Sequence, residues 1–273
     1  MAAPLVIRNP ALALHNLWRY RGFIASSVAR EIRLRYLGSA LGVVWLVLPP
    51  LLTIIIYTTV FGYLMNARLP QQEGPLGYAI YLCSGLVLWN FFAEVVQRSL
   101  NVFLEHANLI KKASFPPLSL FVSVVLSAAV NFALFLAIFV LFLIAVGEFP
   151  GVKLLGLLPA FLLTAALAGA IGLLVGTVNV FFRDVHQIVS IGLQVLFWTA
   201  PIVYPATIIT PALKPWFSAN PLFGLVVSAQ QAVTSGLWPD PRLLAAPLLW
   251  VIVLAPFALF AYRRLYPDLL DEV

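Results

Sequence analysis

Long apolar runs, each close to the length a bilayer demands, recur along this chain, and they constrain its fold more than any other feature. An α-helix rises 1.5 Å per residue, so about 20 residues cross a hydrocarbon core of about 30 Å. Six such segments fall near residues 37–64, 78–98, 118–146, 154–181, 187–204 and 243–262. Only 10% of the 273 residues are charged, against about 25% in soluble domains. The chain is therefore expected to be an all-α integral membrane protein with six transmembrane helices, folded as a single membrane domain over 1–273.

The basic residues orient those spans. With a cytoplasmic N-terminus, six crossings return the C-terminus to the cytoplasm. That arrangement puts Arg8, Arg19, Arg21, Arg30, Arg33, Arg35, Arg98, Lys111, Lys112, Arg183, Arg263 and Arg264 inside. Only Arg68, Lys153, Lys214 and Arg242 fall outside, which is the positive-inside pattern. The net charge of +6 follows from this topology. No basic patch or motif for nucleic acid accompanies it. The first span is expected to insert and stay, because the first 36 residues are rich in arginine and hold no long apolar run.

Residues 12–36 have the pattern of an amphipathic interface helix. At 100° per residue Leu17, Ile24, Val28, Ile32 and Tyr36 share one arc, and Arg19, Arg30 and Arg33 lie opposite. Glu31 and Arg35 are spaced as an i,i+4 pair. Such a helix can lie in the headgroup plane with membrane lipid as its partner, either as an anchor or as a lever at the cytoplasmic mouth of a transport path. The first span then meets Pro49 and Pro50, each without the donor a helix interior needs. Gly38 to Met65 is 28 residues, too long for one straight crossing, so the span must tilt, bend or begin at the interface; a kink is expected at Pro50, with Pro49 sharpening or shifting it.

Residues 205–242 are the least regular stretch, with prolines at 205, 211, 215, 221, 239 and 241. Irregular backbone at membrane depth is tolerated only inside protein or along a cavity. Short external helices or a re-entrant hairpin between spans five and six are expected there. Gly172 and Gly176 have the spacing of a tight helix contact. Cys83 stands alone in the chain and reads as a small core hydrophobe.

Several chemistries find no footing in the residues. There is no G-x-x-x-x-G-K-[ST] phosphate loop, no HExxH or Cys/His metal spacing, and no G-x-S-x-G elbow. His15, His106 and His186 are scattered, so no metal site and no catalytic residue is assigned. Glu94 and Arg98 form a local i,i+4 pair, and no chain of carboxylates or histidines crosses a span to carry protons. A transporter of this kind must be driven from outside itself. Two segments could receive the push: 101–117, NVFLEHANLIKKASFPP, and RDVHQ at 183–187.

At these residues the chain resembles the permease subunits of ABC transporters that export polysaccharides such as O-antigen, capsule and teichoic acid. REIRLRYLGSALGVVWLVLPPLLTIIIYTTVF is similar to the family's opening signature, and NLIKKASFP, NVFFRDV, PIVYP and NPLFG follow in the family's order. The resemblance covers nearly the whole chain.

The resemblance implies an assembly. A second copy of the chain would pair with it, and two separate cytoplasmic ATP-binding subunits would carry ATP and Mg, leaving no cofactor in this chain. The chain would be a transport subunit and not an enzyme. Glu105, Asn108, Leu109, Ile110, Lys111 and Lys112 would couple it to the ATPase. Arg30, Glu31, Arg33, Arg35, Tyr36, Arg183 and Asp184 would stand at the cytoplasmic gate and interface. The cargo would be a lipid-linked glycan crossing a bacterial inner membrane. Tyr57, Phe61, Trp198 and Tyr204 are candidates to line its path, since aromatic faces stack on sugar rings. Two other classes keep a place beside this reading. One is an ABC permease for another lipid or a drug-like cargo. The other is an integral membrane enzyme acting on lipid-linked sugars, which would need a cluster of acids, bases or metal ligands.

Overall fold

A computed structural model describes residues 17–37, 44–64, 75–111 and 116–272. Every regular element among the described residues is helical. In chain order they are α1 (Arg21–Leu37), α2 (Val44–Tyr57) with a π-helical extension (Thr58–Leu64), α3 (Pro75–Glu105) and α4 (Ala107–Ile110). Then come α5 (Leu118–Ala145), a 3-10 turn (Gly151–Gly156), α6 (Leu157–Asn179) and α7 (Val185–Thr199). A second 3-10 turn (Ala206–Ile208), α8 (Lys214–Ser218), α9 (Phe223–Thr234) and α10 (Pro241–Glu272) complete the chain.

Five stretches are long and apolar enough to cross a membrane: Val47–Leu64, Leu76–Glu105, Leu118–Ala145, Gly151–Asn179 and Pro241–Leu270. The chain is a multi-pass membrane protein. The fifth expected crossing, 187–204, is shorter than the reading above. Its helix α7 has 15 residues, about 22 Å at 1.5 Å per residue. It stops at Thr199 because Pro201 and Pro205 follow, and a residue before proline is pushed out of helical geometry. Indeed Ala200 is extended, with φ −82° and ψ 137°.

The central helix is α3, 31 residues long. It packs on α5, α6, α9 and the π segment, and its Phe91, Phe92, Leu88 and Ile80 are almost wholly buried. Helices in lipid gain little from burying apolar area against one another, so close backbone approach matters more. Gly176 supplies it between α6 and α3: a Cβ there would stand 2.4 Å from the Ser99 carbonyl oxygen. Gly224 does the same between α9 and α10, where a Cβ would stand 1.9 Å from the Leu243 carbonyl oxygen.

Pro49 and Pro50 lie inside α2, whose α-helical path is continuous across them. The Pro49 carbonyl accepts the Thr53 hydroxyl at 2.8 Å. The change of helical type comes later, at the π segment from Thr58, a wider winding that often marks functional sites. Helix α10 likewise passes through Pro247, Pro256 and Pro267.

Helix α1 lies on α5. Its Ile24 is buried and Val28 and Ile32 are half-buried, while Arg30 and Arg33 are exposed. The apolar arc expected to face lipid headgroups is thus largely taken up by the bundle. Glu31 shares the inward side and Leu34 is exposed on the outward side, so the contrast between faces is weaker than the arc alone suggests.

Candidate functional site

The basic end of the bundle is built around the point where α3 ends. At His106 the chain leaves α3, and the imidazole Nδ1 meets the Val102 carbonyl at 2.9 Å. One turn of helix, α4, follows. Its Ile110 is buried with Val102, Phe103, Leu120, Phe121, Tyr262 and Leu269, and Leu109 packs against the same cluster. Glu105, Asn108 and Lys111 stay exposed. The coupling residues expected from the sequence therefore divide. Glu105, Asn108 and Lys111 form a surface, Leu109 and Ile110 form its seat, and Lys112 lies outside the described residues. A one-turn helix has one apolar side, and that side is spent on the core. Residues 101–105, read from sequence as the start of this segment, are the last turn of α3.

Beside this surface an ionic cluster ties α1, α3 and α5 together. Arg98 of α3 stands 2.6 Å from Glu31 of α1 and 3.0 Å from Glu94, one turn earlier on α3. Helix α5 supports both carboxylates: Ser127 donates to Glu31 at 2.8 Å, and Asn131 donates to Glu94 at 2.6 Å. A charge at membrane depth needs such a partner. The i,i+4 pair was legible in the sequence, but the bond to Glu31 was not. Its only signal was an acidic residue within the arginine-rich N-terminal stretch.

A cavity of about 560 Å³ opens at this cluster between α1, α3 and α5. Arg30, Glu31, Gln97, Arg98, Asn101 and Glu105 contribute its polar lining. Of the other expected gate residues, Arg33 is exposed on α1. The side chains of Arg35 and Tyr36 lie outside the described residues. Arg183 and Asp184 stand exposed at the turn between α6 and α7. No ion pair joins them to α1 among the described residues.

At the opposite end the broken chain after α7 is held by side chains from α3 and α9. Tyr78 donates its hydroxyl to the Val203 carbonyl. Tyr81 lies 3.1 Å from both the Pro201 and Tyr204 carbonyls. The buried Gln230 donates to the Pro201 carbonyl at 2.8 Å. Asn220 bridges back to α7, donating to the Leu196 carbonyl and the Thr199 hydroxyl, each at 2.8 Å. These bonds satisfy backbone groups that water cannot reach in a bilayer.

The aromatic candidates separate in the same way. Tyr57 and Phe61 stack at 5.8 Å, and Phe61 continues onto Tyr78 at 5.4 Å. The two therefore belong to a ladder braced on α3. Tyr204 donates to the Trp198 carbonyl at 2.6 Å and pins the end of α7. Trp198 is 56% exposed. Among the described residues, no group of His, Cys, Asp and Glu could hold a metal ion.

Residues 23–233 match the model of the ABC-2 type transporter. The O-antigen export system permease protein RfbA of Myxococcus xanthus is 29% identical over 255 residues, 92% of this chain and 96% of the relative. The RfbA permease of Klebsiella pneumoniae is 28% identical over 208 residues, 76% of this chain and 78% of its own length. The polysialic acid transport protein KpsM of Escherichia coli is 25% identical over 211 residues, 76% and 79% of the two chains. The match spans the interface helix, the ionic cluster, the α4 turn and the irregular segment after α7. A chain with this many apolar helices and a family match over most of its length is a member of the ABC-2 type transporter family.

Proposed function

We propose that this chain is the membrane-spanning subunit of an ATP-driven exporter that moves a lipid-linked polysaccharide out of the cytoplasm across a bacterial inner membrane. The observation that carries the reading is the α4 turn, seated on the core by Ile110 and presenting Glu105, Asn108 and Lys111. It stands at the end of the central helix, one cavity away from the interface helix. A push there reaches α3 directly, and through the bond between Arg98 and Glu31 it reaches α1. The named relatives are permeases of O-antigen export and a polysialic acid transport protein, which supports a glycan cargo.

The assembly is a pair of these chains with two ATP-binding subunits. ATP and Mg are held by those partners, and this chain holds no cofactor. Two-fold pairs are the commonest oligomers, and the cargo path runs where the two copies meet. The N- and C-termini are cytoplasmic, as the distribution of basic residues favours. The whole chain acts as one permease domain, with the interface helix at 1–36, the coupling segment at 101–117 and the external gate segment at 205–242.

The test is complementation in a bacterium whose own polysaccharide exporter is deleted. The chain, expressed with an ATP-binding subunit of a polysaccharide exporter from the same genome, is expected to restore surface glycan and to co-purify with that subunit. Replacing residues 108–112 by a flexible linker is expected to abolish export while the two chains remain in the membrane. Full export by the linker variant would remove the coupling assignment, and no export by the intact pair would remove the cargo assignment.

A further inference from the structure

Helix α3 is the most buried of the long helices, yet one line along it is open. Asn90 sits at the midpoint of Pro75–Glu105, between buried Leu88 and Phe91, and is itself exposed. Gln97 is exposed as well. At 100° per residue Asn90, Glu94, Gln97, Asn101 and Glu105 fall within an arc of about 80°, and from first to last they rise about 22 Å. Gln97, Asn101 and Glu105 line the cavity beside α1, so the line runs from that cavity to the middle of the membrane.

The side chains of Asn90 and Gln97 have no hydrogen-bond partner among the described residues. An amide left against hydrocarbon is strongly disfavoured, so these two groups face water or a polar occupant. Of the two carboxylates on the line, Glu105 lies at the cavity end and Glu94 is engaged by side chains. Glu94 is bound by Arg98 and Asn131, and Arg98 also holds Glu31. What remains on offer at depth is amide, which donates and accepts without net charge. That is the chemistry that matches sugar hydroxyls. An aromatic surface stands next to it: Trp89 meets Phe197 of α7 at 5.2 Å between ring centroids, and Phe197 meets the exposed Trp198 at 5.5 Å.

We infer that the Asn90–Gln97–Asn101 line of α3 is a hydrated track along which the inner half of a neutral, hydroxyl-rich glycan chain is held by amide contacts. This rests on the glycan-export reading above and adds to it the surface that recognises the sugar. The aromatic residues Tyr57 and Phe61 then brace the wall, and the amides touch the cargo.

The test has two arms, both in the full permease–ATPase complex. In a Cys83→Ser background, Asn90→Cys and Gln97→Cys are expected to react in the membrane with a charged, membrane-impermeant methanethiosulfonate. Val253→Cys, on the exposed apolar face of α10, is expected to stay unlabelled. Failure of both Asn90→Cys and Gln97→Cys to react overturns the hydrated track. In the second arm Asn90→Leu and Gln97→Leu, similar in bulk and at home in a membrane helix, are expected to lower surface glycan about tenfold together. The amount of complex in the membrane is expected to hold, and Asn90→Gln with Gln97→Asn to restore export. Normal export by the leucine pair overturns the amide contact. If the unsubstituted complex exports no glycan while the thiols still react, the cargo reading fails and the track stands.

Discussion

Arg98 and Glu31 belong to different helices and meet at 2.6 Å, so the interface helix is bonded to the helix that ends in the α4 turn. Both side chains are partly exposed, at 24% and 31%, which moderates the electrostatic gain. Glu31→Gln is expected to cost about 1–2 kcal/mol of stability and Arg98→Gln more, since it also leaves Glu94, with the double variant close to Arg98→Gln alone. Thermal unfolding of the detergent-solubilised complex across a double-mutant cycle measures this coupling. Additive losses would mean that the two side chains do not act together.

The α4 turn separates docking from folding. Asn108→Ala and Lys111→Ala are expected to change stability by less than about 0.5 kcal/mol, because both side chains are exposed. Ile110→Ala is expected to cost about 2–4 kcal/mol, because Ile110 is only 3% exposed. ATPase activity of the complex, measured beside its melting temperature, discriminates the two effects: the surface pair lowers activity with little change in melting.

Gly224 lies against backbone, which cannot move aside as a side chain can. Gly224→Ala would put its Cβ 1.9 Å from the Leu243 carbonyl oxygen, and a loss of at least about 2 kcal/mol is expected. Gly169→Ala serves as the control, since a Cβ there meets nothing within 4 Å. Equal melting temperatures for the two variants would contradict the packing of α9 on α10.

Tyr81 and Gln230 share the Pro201 carbonyl. Removing one donor with Tyr81→Phe or Gln230→Leu is expected to cost about 1 kcal/mol, and removing both more than the sum. The second loss leaves the buried carbonyl with neither side-chain donor. Hydrogen exchange of residues 200–205 in the complex reports the loosening directly, and unchanged exchange in the double variant would contradict it.

Much of this architecture was readable before any coordinates. Charge scarcity and apolar length gave the membrane class, and the spacing of Gly172 and Gly176 signalled the contact made at Ser99. Glu94 and Arg98 could be paired because helical geometry places i and i+4 together. Glu31 could not be assigned to Arg98, because that contact depends on how α1 docks. Gly224 carried no periodic signal, so its approach to Leu243 was silent. Pro49 and Pro50 marked the first span as the place to expect a bend, and α2 carries both inside a continuous α-helical assignment. The open line on α3 escaped notice because Asn90 and Gln97 look like isolated polar residues until the burial of their neighbours is known.

The shortness of α7 has one more consequence. A rod of about 22 Å in a film of about 30 Å leaves about a quarter of the film unspanned. Here the chain goes on as residues 200–205, fastened by a few side-chain bonds from α3 and α9. Withdrawing this segment exchanges hydrogen bonds worth about 1 kcal/mol each and unwinds no helical turn. The wall is therefore rigid over most of its height and detachable only near its rim.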